Sequence, residues 1–350
     1  LFEVPNSGTL DVAVRNPVHC AVVHHQQSGE RWIHETTLHA GTSNRTWVFA
    51  AEDQNDLTSS GAFWELDSRH ESRDSLWNWN VGYRYVEPEF RSAAAQTRRL
   101  DWSSAMQPST FATYTNDQLA RRLSVFDLLV DPLLYNQALA PQLMQFNPFS
   151  SNVSPYSDAT PNRMGVFGSL EWGGMKKAVN AALNLTALSE VIGQGTENRR
   201  RFGRAECRVH WAAPNLLNIE KGVDVTFHSK AELTRRDGNE LEELDLRSIQ
   251  SSMELKAGLS DALTIHASAS NWTASGEEFL SIRDAYGNLF NFEAVQVDRS
   301  DWIFASGLSY EWSKHTYASI QYQLWGANDR EEAISDFQYQ RLFFILTIDL

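Results

Sequence analysis

Cysteine is nearly absent: Cys20 and Cys207 are the two in 350 residues. Two cysteines make neither a disulfide framework nor a four-ligand zinc site, and both sit among apolar residues as small fillers. No run of eighteen apolar residues occurs, which excludes a transmembrane helix. Excess positive charge is missing too. The net charge of -14 argues against a nucleic-acid partner, because phosphate binding needs clustered Lys and Arg. Enzyme signatures are also lacking: there is no G-x-S-x-G, H-E-x-x-H, P-loop or C-x-x-C. Internal repeats of 20–50 residues are absent, which disfavours a propeller or solenoid.

The chain is rich in alternation. In "LWNWNVGYRY" (76–85), Trp77, Trp79, Val81, Tyr83 and Tyr85 alternate with Asn78, Asn80, Gly82 and Arg84. Successive side chains leave a strand on opposite faces, so one face is aromatic and the other wet. The pattern recurs in 199–211, 221–233, 249–257, 262–270, 301–312 and 315–325. It places strands near 10–23, 31–40, 45–52, 61–68, 76–86, 163–172, 177–188, 199–212, 220–233, 245–258, 261–272, 301–312, 315–326 and 335–350, fourteen in all.

The connections sort by length. Those at 41–44, 69–75, 172–175, 213–219, 258–261 and 313–315 are short. Between them lie longer ones at 53–60, 87–162, 189–198, 234–244, 273–300 and 327–334. Short turns at one end and long polar loops at the other are expected of a transmembrane β-barrel. A soluble sandwich has no reason to sort its loops.

The wet faces agree. Arg204, Glu206, Arg208 and His210 in one strand would need costly buried pairs inside a soluble core, whereas a hydrated lumen holds them at little cost. The expected lumen lining is Arg84, Glu171, Arg204, Glu206, Arg208, Asp224, Lys230, Glu254, Lys256, Glu311 and Arg341, with Arg15 beside them. The other face then meets lipid, and closure satisfies backbone groups that the bilayer cannot. Trp47, Trp77, Trp79, Trp172, Trp211 and Trp312 fall toward the short-turn ends of their strands, and Trp32, Trp272, Trp302 and Trp325 toward the long-loop ends. Two such groups are expected to form girdles at the two headgroup levels.

The last strand, "QRLFFILTIDL", alternates Leu342, Phe344, Leu346, Ile348 and Leu350 up to the final residue. This resembles the C-terminal signature of bacterial outer-membrane β-barrel proteins, a likeness of class and not of one family. It implies an all-β, closed antiparallel transmembrane barrel of about fourteen strands, a single domain over 1–350, with both termini periplasmic. Lipid and lipopolysaccharide are the implied surroundings. The chain starts at Leu1 with no charged-then-apolar leader, which is read as a processed or truncated product, its export signal missing from view.

The connection 87–162 is the expected seat of specific function, being far longer than ordinary loops. Within it Leu119, Leu123, Phe126 and Val130 keep helical spacing, with Asn116 or Asp117 as N-cap and Pro132 as stop. This stripe either holds the loop together, narrows the lumen, or meets a partner. The leading expectation is a porin-like channel or uptake protein with a loop-constricted lumen. A scaffold in a larger envelope complex, docking other proteins through 87–162, is the alternative. A rim hydrolase using His24 and His25, with Glu30 nearby at an extracellular turn, is the third reading. Solvated loop histidines are the simpler account of those residues, so no catalytic residue is assigned. The acidic stretches 53–56, 237–243 and 328–332 lack EF-hand spacing and read as solvated charge. No metal and no cofactor are expected.

Overall fold

The structure is a computed structural model that describes residues 2–3, 12–49, 57–92, 153–154, 157–174, 178–193, 196–213, 222–239, 242–283, 289–313, 316–331 and 336–348. Among these, one antiparallel sheet holds every strand. The strands are β1 (Phe2–Glu3), β2 (Val12–Arg15), β3 (Val18–Ser28), β4 (Trp32–Phe49), β5 (Leu57–Ser72), β6 (Trp77–Val86), β7 (Arg163–Gly174) and β8 (Val179–Ser189). They continue as β9 (Arg201–Ala213), β10 (Val223–Arg236), β11 (Leu244–Gly258), β12 (Leu263–Arg283), β13 (Leu289–Ser313), β14 (Thr316–Asp329) and β15 (Phe337–Ile348). From β4 to β15 each strand pairs with the next.

β2 and β3 both pair with β4 and act as one strand interrupted at Asn16-Pro17. Pro17 has no N–H to give the ladder, so the break falls there. β1 pairs antiparallel with β2, Phe2 opposite Val14. Among the described residues, β3 and β15 each pair along one side only.

Two expected strands, 31–40 and 45–52, are the single strand β4, and 41–44 is not a turn. The glycine there serves packing: a Cβ at Gly41 would lie 2.5 Å from the Phe63 ring and 2.6 Å from the His19 carbonyl oxygen. Likewise most of the expected 273–300 loop is strand, paired from Trp272–Asp301 to Ile282–Asn291. The merger at 41–44 also changes which end the first hairpin occupies. The turn 29–31 shares an end with 73–76, 175–178, 214–222, 259–262 and 314–315, the short-turn end. Connections 50–56, 87–162, 190–200, 237–243, 284–288 and 330–336 share the other, the long-loop end. The sorting by length therefore persists except at 214–222, which is longer than 50–56, 237–243, 284–288 and 330–336. Glu30 with the nearby His24 and His25 belongs to the short-turn end, not the expected extracellular rim.

Candidate functional site

Cross-strand register decides which side chains share a face, since directly opposed residues point the same way. One row runs Trp77, Trp172, Ala181, Val209, Phe227, Met253, Ala269, Phe304 and Leu324 from β6 to β14. This apolar face is open: Phe344 is 72% exposed, Leu342 69% and Val23 63%. Leu66, Val81, Val166, Leu185, Ile249, Leu308 and Ile320 are exposed on it as well. A monomeric soluble protein does not carry so wide an uncovered apolar surface.

The opposite, polar face carries all eleven residues expected to line a lumen. Arg204 opposes Glu232, Glu206 opposes Lys230, Arg208 opposes His228, and Asp224 opposes Lys256. Glu254 opposes Thr226, Glu171 opposes Asn78, Arg84 opposes Glu65, and Arg341 opposes Gln323. Glu311 shares this phase at the end of β13. The side chains pair where they meet, His228 Nε2 with Glu206 at 2.9 Å and Lys230 with Glu232 at 3.7 Å. Arg15 departs from expectation: it opposes Thr46, in the row of the apolar face, because the chain keeps one phase across the Asn16-Pro17 break.

Burial on the polar face follows the strand axis. Toward the short turns Glu171, Arg208, Lys256 and Glu311 are exposed. Toward the long loops Arg84, Glu232, Thr234, Arg236, Ser248, Gln250, Asp301 and Gln323 are buried, and Leu244, Leu246, Trp272, Ala274 and Val297 form a core cluster. A second cluster joins Val153, Leu188 and Phe202. The end of the 87–162 connection is fixed against this region. Its short 3-10 turn Ser157–Ala159 presents Asp158, which accepts a hydrogen bond from Arg84 Nη1 at 2.9 Å. Asn162 Oδ1 accepts the N–H groups of Val191 and Ile192 at 3.0 and 2.9 Å. The Arg163 guanidinium lies 3.8 Å over the Phe202 ring. Leu119, Leu123, Phe126 and Val130, and with them the expected helix, lie outside the described residues.

The tryptophans divide. Trp77, Trp79, Trp172, Trp211, Trp302 and Trp312 are in the apolar-face phase. Trp77 and Trp172 are neighbours, with ring centroids 6.3 Å apart. Trp272 and Trp325 are not girdle residues: they are in the polar-face phase and 4% exposed. Proximity to a strand end suggested a girdle, but phase with Thr264, His266 and Ser268 turns Trp272 inward, and phase with Gln321 and Gln323 does the same for Trp325. The Trp47 side chain lies outside the described set.

His24 Nδ1 meets Glu35 at 3.2 Å, a pair both partners of which are well exposed. At the long-loop rim Asp237 pairs with Arg201, and Glu242 accepts a hydrogen bond from Asn198 at 3.0 Å. Hydrogen bonds from Thr196, then Asn198, hold the Glu242 carboxyl below its ordinary value. No group of three or more His, Cys, Asp or Glu is arranged to hold a metal ion among the described residues. Two groupings escaped sequence reading. Asp158, as partner to Arg84, is separated from it by 74 residues. The other is His34, Ser68, His70 and Trp79, polar groups in the apolar phase, where alternation alone offered a signal.

No protein-family model matches the chain, and no curated protein matches it. Solved structures do. The chain is similar to OmpT, an outer membrane protein of Vibrio cholerae, at 7% identity and a TM-score of 0.32, over 99% of this chain and 96% of that one. It is similar to the outer membrane channel DcaP of Acinetobacter baumannii at 5% identity and 0.41, over 99% of each. The translocator domain of autotransporter NalP from Neisseria meningitidis follows at 8% and 0.21, over 98% and 90%. The likeness is to bacterial outer-membrane β-barrel proteins as a class. These overlaps are loose, and none of them assigns a function.

Proposed function

We propose that this chain is an integral outer-membrane β-barrel with a loop-constricted lumen, acting in porin-like uptake. The observation that carries the reading is the pairing of an open apolar face with a polar face on which the buried charged side chains Arg84, Glu232, Arg236 and Asp301 lie toward the long loops. Lipid accounts for the first, and water entering from the short-turn side accounts for the second. The barrel has fourteen staves: β2 and β3 count as one, and β1 takes the place beside them at the seam facing β15. An antiparallel closure needs that stave, because β3 and β15 run in the same direction. Short turns and the C-terminal end of β15 face the periplasm, and the 87–162 connection lies outside. The expected periplasmic N-terminus is not kept, because Phe2 pairs with Val14 near the long-loop end of the sheet.

Reconstituted in planar bilayers, the full chain is expected to conduct little at rest and to conduct steadily once residues 95–155 are deleted. Silence from the deletion variant would remove the channel reading. The membrane reading has its own check, since Leu308 sits near mid-height on the apolar face. Leu308→Arg is expected to cost about 2–4 kcal/mol of stability in bilayers. A chain that stays monomeric in buffer without detergent would overturn the membrane reading outright.

A further inference from the structure

His34 on β4 and His70 on β5 are directly opposed in the ladder, and His70 is opposed on its other side by Trp79 of β6. The two Nδ1 atoms face each other within hydrogen-bond reach. The imidazoles meet edge to face, with centroids 4.6 Å apart and planes at 80°. The other faces of the site hold the His70 ring in place. Trp79 stacks on it at 3.8 Å and 13°, and Ser68 Oγ lies 3.1 Å from its Nε2.

A neutral imidazole has one N–H and one lone pair. When His70 Nε2 donates its proton to Ser68 Oγ, its Nδ1 lone pair is aimed at His34. Two basic nitrogens then converge on one point. Either a single proton bridges them or a cation accepts both lone pairs. A ligating histidine with its second N–H given to an acceptor is the arrangement that raises basicity and fixes the ring at metal sites. Ser68 and Trp79 supply that support here.

We propose that His34 and His70 form a two-imidazole chelate for a divalent transition-metal ion, with water completing the coordination. Imidazole suits copper, nickel and zinc, and the divalent series puts Cu²⁺ highest. With metal–nitrogen bonds of about 2.0–2.1 Å, the nitrogens must open to about 3 Å, a small rotation of His34. The site lies a few residues from the turns 29–31 and 73–76, where solvent delivers the ion. The inference stands apart from the channel reading and needs only that β4, β5 and β6 keep their register.

Cu²⁺ titrated into the detergent-purified full chain tests it. Electron paramagnetic resonance should show one copper per chain with two nitrogen ligands. His34→Gln and His70→Gln should each abolish that signal, and Ser68→Ala should weaken binding about tenfold through loss of the supporting hydrogen bond. His24→Gln with His25→Gln should leave it intact. Equal Cu²⁺ binding by the wild type and the His34→Gln, His70→Gln double variant would overturn the proposal and leave a shared proton as the bridge. A readout without any variant guards against misfolding. Zn²⁺ should protect His34 and His70 of the wild-type chain from diethyl pyrocarbonate, mapped by mass spectrometry. Undiminished modification would count against the chelate.

Discussion

The two ends of the polar face are made of the same residue types yet live in different surroundings. Toward the short turns, Glu171, Arg208, Lys256 and Glu311 stand in the open. Toward the long loops, Arg84, Glu232 and Gln323 are buried, as are Trp272, Trp325 and Leu246. Alternation makes both ends polar, because it fixes only which face a side chain takes. Burial is decided by what returns over the sheet, and that depends on contacts distant in sequence. The lesson is that charge on a strand face specifies orientation, while the loop end specifies whether the charge is wet.

The most direct way to break this comparison is accessibility. In a Cys20→Ser, Cys207→Ser background, Glu311→Cys should react fully with a membrane-impermeant maleimide, and Gln323→Cys should stay protected. The residues lie on neighbouring strands, Glu311 exposed and Gln323 2% exposed. Equal labelling, read by mass shift, would mean that the two ends are equally wet.

A large energetic contrast follows at the buried end. Arg84 is 8% exposed and bonds both Glu65 and Asp158. Arg84→Ala leaves the Glu65 carboxylate, itself 21% exposed, without its cation. Removing one partner of a buried pair costs about 3–5 kcal/mol. The Arg201–Asp237 pair, 71% and 74% exposed, is its foil at the rim. Arg201→Ala should cost under about 1 kcal/mol, because solvent screens the pair. Thermal unfolding in one detergent measures both, and comparable losses would show Arg84 to be solvated.

The legible part of this fold was its period of two. "LWNWNVGYRY" and the charged faces of β9 and β10 needed no knowledge of register, and the sheet assembles them as alternation implies. What escaped was what a partner strand decides. Gly41 has turn-forming neighbours, but its lack of a Cβ makes room for Phe63 across the ladder. Reading 41–44 as a turn then sent His24 and His25 to the wrong end. Trp272 and Trp325 were placed by nearness to a strand end, although their phase with polar neighbours pointed inward. The site was legible as a face, not as contacts: Arg84 was assigned to the polar side, but nothing local linked it to Asp158. The metal-binding reading of His34 and His70 needs β4 and β5 in register, which no stretch of either strand contains.

At the open end the smallest effect is the most local. In the turn Ser72–Trp77, Ser72 Oγ donates to Asp74 Oδ1 at 2.5 Å, and the Leu76 N–H donates to the same oxygen at 3.1 Å. The Trp77 N–H donates in turn to Ser72 Oγ at 2.9 Å. The bond from Ser72, then that from Leu76, holds the Asp74 carboxyl below its ordinary value. A carboxyl with a depressed folded-state pKa contributes stability that is complete above its unfolded value, about 3.9, and fades as pH falls through the folded one. Asp74→Asn keeps the acceptor oxygen but not the charge. The variant should therefore melt slightly below the wild type at neutral pH, and the gap should close in acid, below the ordinary aspartate range. Asp74 itself is exposed, so the shift should be far smaller than that of Arg84→Ala and should shrink further in high salt. A gap unchanged by acid would assign the effect to side-chain shape rather than charge. A gap rivalling that of Arg84→Ala would erase the distinction between the wet and dry ends.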